Sequence, residues 1–267
     1  MKQTDSGATI ITICSPKGGV GRTTMAVALA AALARRGERA LVLDLDAAGH
    51  ATRWLLGDEG DHGAALMGAL QGPGPLTCRA GAHGVDVVAG GARSRGALPL
   101  MDTILGRARF ERALEPVRQA CDVVLIDTPP IGVERVLPAL TVSHACVVPV
   151  QPCVYSILAA QTVAARLEGV RAEGIRLPTA LGCVVSRALA DSALTDQALA
   201  MIEDDPRLRL IRPVIPDHDA FPASMERAAP GLLLGDEHED IGDLLTLLSH
   251  RLDDLTGGLP GTDHARP

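Results

Sequence analysis

Between Pro16 and Met25 the chain reads K-G-G-V-G-R-T-T, Lys17 to Thr24, a run whose residue types suit a bound polyphosphate. Gly18, Gly19 and Gly21 carry no Cβ, so the loop is free to take dihedrals that aim consecutive main-chain N–H groups, Val20 among them, at one point. Lys17 and Arg22 add positive charge. Thr23 brings a hydroxyl suited to ligating a Mg2+ that bridges phosphate oxygens, and Thr24 a donor for a phosphate nearer the sugar. Three acids stand at the ends of apolar runs elsewhere. Asp44 and Asp46 close R-A-L-V-L-D-L-D, and Asp127 closes C-D-V-V-L-I-D-T-P-P.

The elements that must position these groups follow from pattern. T-I-I-T-I-C before the loop is a β-branched strand, and the Ala/Leu-rich stretch after it, ending at Gly37, is a helix. The positive end of that helix faces the glycine loop. Arg39–Asp44 is a second strand, so strand, helix and strand form a right-handed parallel crossover. Asp44 and Asp46, two apart, lie on one side of an extended chain, at the strand end where ligands of open α/β sheets sit. Further strands are expected at 85–89, 121–127, 145–150, 179–186 and 208–214. Helices are expected at 64–70, about 99–120, 155–173 and about 237–255.

Composition narrows the field. At 267 residues, with 47% hydrophobic and 21% charged, the body is an ordinary globular domain. Trp54, Tyr155, Phe110 and Phe221 are its only aromatics, so the core is aliphatic and the composition argues against a base-stacking surface for single strands. A net charge of −7 argues against coating nucleic acid by bulk charge. Six scattered cysteines without C-x-x-C spacing read as small buried hydrophobes of a reducing compartment. With no run of about 18 apolar residues and no leader-like N-terminus, the chain reads as cytoplasmic.

Taken jointly, these strings resemble the ParA/MinD family of deviant Walker A P-loop ATPases, and most of all ParA-type partition ATPases. K-G-G-x-G-[K/R]-T-T matches the deviant loop, with Lys17 as its early lysine, although Arg22 stands where the usual lysine does. D-L-D-A-A-G-H-A-T resembles D-x-D-P-Q-G-N-A-T, departing at Ala47, Ala48 and His50, and D-T-P-P matches the Walker B tail. The resemblance covers roughly residues 8–250. It implies a single-domain α/β P-loop fold at 9–256, with a mostly parallel twisted sheet and helices on both faces, a short arm at 1–8 and a flexible tail at 257–267.

The resemblance also implies ATP and Mg2+ as cofactors. Thr23 and Asp127 would hold the metal, Asp46 would orient the attacking water, and Arg187, Pro216 and His218 would lie near the base. Lys17 would reach across an ATP-dependent homodimer to the partner's phosphates. Non-specific DNA and a stimulating protein are the partners such proteins use, with Arg207, Arg209, Arg212, Arg227 and Arg251 as the arginines available for phosphate contacts. The acidic, then Gly/Pro-rich C-terminal stretch argues against the membrane-inserting basic helix of MinD proteins. A positioning ATPase working on a non-DNA surface stays open. So does a nucleotide-binding scaffold with little hydrolysis, because an arginine fork does not fit a compact ammonium site.

Overall fold

The computed structural model describes residues 7–178, 180–227 and 229–256; the expected arm, but for residues 7 and 8, and the whole of the expected tail fall outside them. In chain order the elements are β1 (Thr9–Ile13), α1 (Arg22–Arg35), β2 (Ala40–Asp44), α2 (His50–Leu56), α3 (Ala64–Gln71), β3 (Arg79–Ala80), β4 (Asp86–Val88), α4 (Ala97–Met101) and α5 (Ile104–Ala120). There follow β5 (Val123–Asp127), α6 (Val133–Thr141), β6 (Ala145–Val150), α7 (Val154–Ala172), β7 (Ala180–Val185), α8 (Ala193–Glu203), β8 (Arg209–Leu210), α9 (Ala220–Glu226) and α10 (Glu239–Thr256). Eight strands form one sheet in the order β3-β4-β2-β5-β1-β6-β7-β8, parallel except for the edge strand β3.

Strands buried on both faces need apolar residues at every position, and β1, β2 and β5 are buried throughout. Alternate side chains supply two aliphatic cores. Ile10, Leu41, Leu43, Val124 and Ile126 pack with Phe110 of α5 on one face, while Ile11, Ile13, Val42 and Leu125 meet α1 and Trp54 on the other. Helix α1 is buried from Met25 to Leu33, and its alanines let α10 approach closely on the far side. β1 therefore stands mid-sheet with a helix sealed behind it. The chain leaves β1 for β2 on one side of the sheet and returns through β5 to β6 on the other, so the crevice beside the C-terminal end of β1 is where a ligand of this fold sits.

Several boundaries differ from expectation for local reasons. The helix expected at about 99–120 is two, α4 and α5, because Thr103 accepts from the Gly106 N–H at 3.0 Å and starts a new helix. A Cβ at Gly106 would collide with the Leu100 carbonyl, so the corner requires glycine. The strand expected at 208–214 pairs regularly only at Arg209–Leu210, since Pro213 has no N–H to give a ladder. Helices α2, α6, α8 and α9 and the short edge strand β3 were not among the expected elements. Of the six cysteines, Cys78 is exposed and Cys153 half-buried, so the reading of all six as core residues holds for the other four.

Candidate functional site

The loop from β1 to α1 is fastened from outside by its carbonyls. The Ser15 and Lys17 carbonyls accept from Arg22 Nη1 at 3.0 and 2.6 Å, the Gly19 carbonyl from Gln151 Nε2 at 2.7 Å, and the Val20 carbonyl from the Ser186 hydroxyl at 2.9 Å. The main-chain N–H groups of Gly18 to Thr23 donate to no acceptor among the described residues. Gly19 and Gly21 have φ of 73° and 90°, which glycine adopts without strain, and Gly21 is the N-cap of α1. A Cβ built on Gly18 or Gly19 would meet open space. Undonated N–H groups at the positive end of a 14-residue helix form an anion cradle.

Beside the cradle stand the acids. The parallel pairing of β2 and β5 sets Asp44 opposite Asp127. The Thr23 hydroxyl donates to Asp127 Oδ2 at 2.7 Å, while Asp127 Oδ1 is buried without a hydrogen-bond partner. Burial holds the Asp127 carboxyl well above the usual carboxylate range, and the Asp44 charge pushes the same way, against Thr23 and Arg22. An orphaned buried carboxylate oxygen next to a threonine hydroxyl, at the foot of an anion cradle, is a donor set of hard oxygens that fits Mg2+.

Asp44 has a different role. Its Oδ2 accepts from the Thr52 N–H at 3.0 Å and the Thr52 hydroxyl at 2.7 Å, and its Oδ1 from the Asp46 N–H at 2.9 Å. Burial raises it to about 6, against the Thr52 and Asp46 hydrogen bonds. It ties β2 to α2 and so holds the intervening loop, which carries Asp46. Asp46 Oδ1 in turn accepts from the Ala48 N–H at 2.9 Å.

Arg22 is 8% exposed, and its guanidinium spans two loops. Besides its bonds to Ser15 and Lys17, Nε donates to the Thr128 carbonyl at 2.9 Å, joining the glycine loop to the segment after β5. Burial lowers its pKa, and the charges of Asp127 and Asp46 oppose that shift. Lys17 points elsewhere. Its ammonium donates to Cys153 Sγ at 3.0 Å, at the N-cap of α7. Burial pushes that thiol up, but Lys17 together with the Ser156 and Tyr155 main-chain N–H groups outweighs it, and Cys153 is held below its usual value.

A cleft of about 500 Å3 opens beside Gly19, Gly21 and Thr24. Arg187, Pro216 and His218 line it, together with Asp217, Phe221 and Met25, which the sequence reading did not single out. Arg187 is exposed, has φ of 55° and pairs with Asp217 at 3.1 Å. His218 Nδ1 accepts from the Ala220 N–H, and its ring meets His238 edge-on. The Val20 side chain is fully buried, so this residue offers a ligand only its main chain. Gln151 was also missed, although the polar residue ending the apolar run A-C-V-V-P-V was a usable signal. Of the surface arginines proposed for phosphate contacts, Arg207 and Arg212 pair with Asp205 and Glu203, Arg251 with Asp254, and Arg209 donates to the Asp254 carbonyl. Among the described residues no helix is long and apolar enough to cross a membrane.

Comparison with known proteins agrees with this geometry. The family described as an AAA domain matches residues 8–176. The sporulation initiation inhibitor protein Soj of Bacillus subtilis is 37% identical over 153 residues, 56% of this chain and 60% of that protein. The chromosome-partitioning ATPase Soj of Thermus thermophilus is 38% identical over 169 residues, 61% of this chain and 62% of its own length. The chain thus spans about 60% of the length of these curated relatives. Among solved structures, a McdA variant of Cyanothece in complex with ATP superposes with a TM-score of 0.75 at 18% identity, covering 94% of this chain and 97% of that one, a likeness of fold. With its glycine loop, paired strand-end acids and central β1 matched in this way, the chain belongs to the ParA/MinD family of P-loop ATPases.

Proposed function

We propose that the chain binds ATP with Mg2+ and hydrolyses it slowly, as an ATP-dependent dimer switch used in DNA partition or in positioning another cargo. The observation that carries this reading is the row of undonated N–H groups from Gly18 to Thr23 beside the half-satisfied carboxylate of Asp127. Thr23 would ligate the metal directly and Asp127 through a water, which suits an ion that gives up its waters reluctantly. Mg2+, held by these residues, would offset charge developing on the transferred group. Thr24 and the cleft lined by Arg187, Pro216 and His218 would take the sugar and base. Asp46, on a loop held by Asp44, would orient the attacking water.

Slow turnover follows from Arg22. Three of its hydrogen bonds are committed to main-chain carbonyls, so its charge is spread over the loop rather than delivered as a compact ammonium to the phosphates. A cation out of place costs about 10²- to 10³-fold, on the scale of losing one preorganised donor. Arg22→Lys is expected to release phosphate at least about tenfold faster; a variant no faster than the parent would remove this explanation. The same observation supports a second reading, a nucleotide-dependent scaffold with almost no hydrolysis.

The cargo is argued from relatives. Proteins named for chromosome partitioning favour DNA, yet the ion pairs of Arg207, Arg212 and Arg251 leave fewer free cations for phosphates than the sequence suggested. Light scattering after size exclusion in ADP and in ATP–Mg2+, with phosphate release measured alongside on the parent and on Asp46→Ala, tests the switch. The expected result is a dimer in ATP alone that persists in Asp46→Ala while phosphate release is lost. A monomer in both nucleotides, with no phosphate released, would sink the switch and leave the scaffold.

A further inference from the structure

A second cleft, of about 560 Å3, opens between the loop after β2, the 94–102 segment and the start of α6, with Asp46 on one wall. Its floor is aliphatic, with Leu98 and Ile131, and its other charged residues are Arg95, Asp102 and Arg135. The acids have partners of their own: Asp102 faces Arg107 at 3.7 Å, and Asp46 accepts from the Ala48 N–H. Arg95 and Arg135 are exposed and make no ion pair or side-chain hydrogen bond among the described residues. Some exposed arginines elsewhere are engaged, as Arg39 with Asp122, Arg166 with Glu134 and Arg187 with Asp217, while others such as Arg53 and Arg93 are not. What sets Arg95 and Arg135 apart is that both line one cleft. Two uncommitted guanidiniums over an apolar floor are complementary to an anion on an apolar body.

We infer that this cleft is a binding site for a small organic anion, a carboxylate or phosphate monoester on an apolar skeleton. The volume lies within the range of small-molecule pockets and is too small for a folded partner. The charge balance points the same way. Asp102 is answered by Arg107, so an incoming carboxylate meets two arginines and one acid, Asp46, which lies on the wall nearest the phosphate loop. Coupling of this ligand to hydrolysis rests on the function proposed above; its binding does not.

Anilinonaphthalenesulfonate, an apolar body with one anionic group, is the probe, read by its fluorescence on the full chain without nucleotide. Arg95→Gln and Arg135→Gln remove no contact of the fold, so their melting temperatures should match the parent's. Expected is saturable binding at one site, weakened roughly tenfold by either substitution, unchanged in Arg187→Gln and displaced by octanoate. Binding equal to the parent's in both arginine variants would overturn the inference, as would the absence of saturable binding. Loss of the signal in Arg187→Gln alone would place the probe in the base cleft and overturn it too. An acidic peptide that displaces the probe where octanoate fails would replace the small molecule with a protein segment.

Discussion

Asp44 and Asp127 end neighbouring parallel strands in the same register, and both are fully buried, yet they are opposite in their bonding. Asp44 accepts three hydrogen bonds and is closed to any ligand, whereas Asp127 accepts one, from Thr23, and keeps an oxygen bare. The first is a staple that shapes a loop. The second leaves a buried acceptor for something that is not protein. An apolar run ending in Asp is thus one sequence pattern with two physical outcomes, decided by whether donors from distant segments close over the carboxylate.

The comparison breaks most severely at Asp127. Asp127→Asn is expected to lower phosphate release by about 10²-fold or more while leaving the thermal midpoint equal or higher, because a buried and half-satisfied charge is removed. A midpoint lowered by several degrees would mean that Asp127 is a staple as well. Asp44→Ala should invert this pattern. It strands the N–H groups of Thr52 and Asp46 and is expected to cost about 3 kcal/mol, read as a lower midpoint in denaturant, with nucleotide affinity nearly intact.

Gly90→Ala acts on the same staple from behind. A Cβ there would lie 2.5 Å from the Asp44 carbonyl oxygen and 2.7 Å from its carboxyl carbon, so a loss of about 1–3 kcal/mol is expected in the same denaturant assay. A neutral result would show that the Asp44 cluster yields easily. Asp122, just before β5 at the opposite end from Asp127, gives a half-buried baseline paired with the exposed Arg39. Its hydrogen bonds to Arg39 hold its carboxyl below the usual range. That contribution is present above the unfolded carboxylate value of about 4 and is lost as pH falls through the lower folded value. Arg39→Ala should therefore cost under about 1 kcal/mol at pH 7, and progressively less as pH falls through that lower value.

Fold class was legible because its signals are local: β-branched runs, a glycine loop and an alanine-rich helix state the order of β1 and α1 without reference to the rest of the chain. Lys17, Arg22, Thr23 and Asp127 were legible by spacing. What they touch was not, since Arg22 to Thr128 spans 106 residues and Lys17 to Cys153 spans 136. The staple role of Asp44 depends on Thr52 and Gly90, whose types carry no special pattern. The short helices α2, α6 and α9 escaped notice because seven to nine residues give too few turns for a helical period to stand out.

The aliphatic core leaves the protein a built-in optical reporter. Trp54 is the only tryptophan in the chain; it sits in α2, just beyond the Asp46 loop, and its indole N–H donates to Ser224 of α9 at 3.2 Å. Ser224 follows closely on Phe221, at the edge of the cleft lined by Arg187 and His218. Tryptophan emission therefore comes from one dry, hydrogen-bonded indole strung between the segment after Asp46 and α9. A red shift in its emission would register water entering that seam, with no label to install.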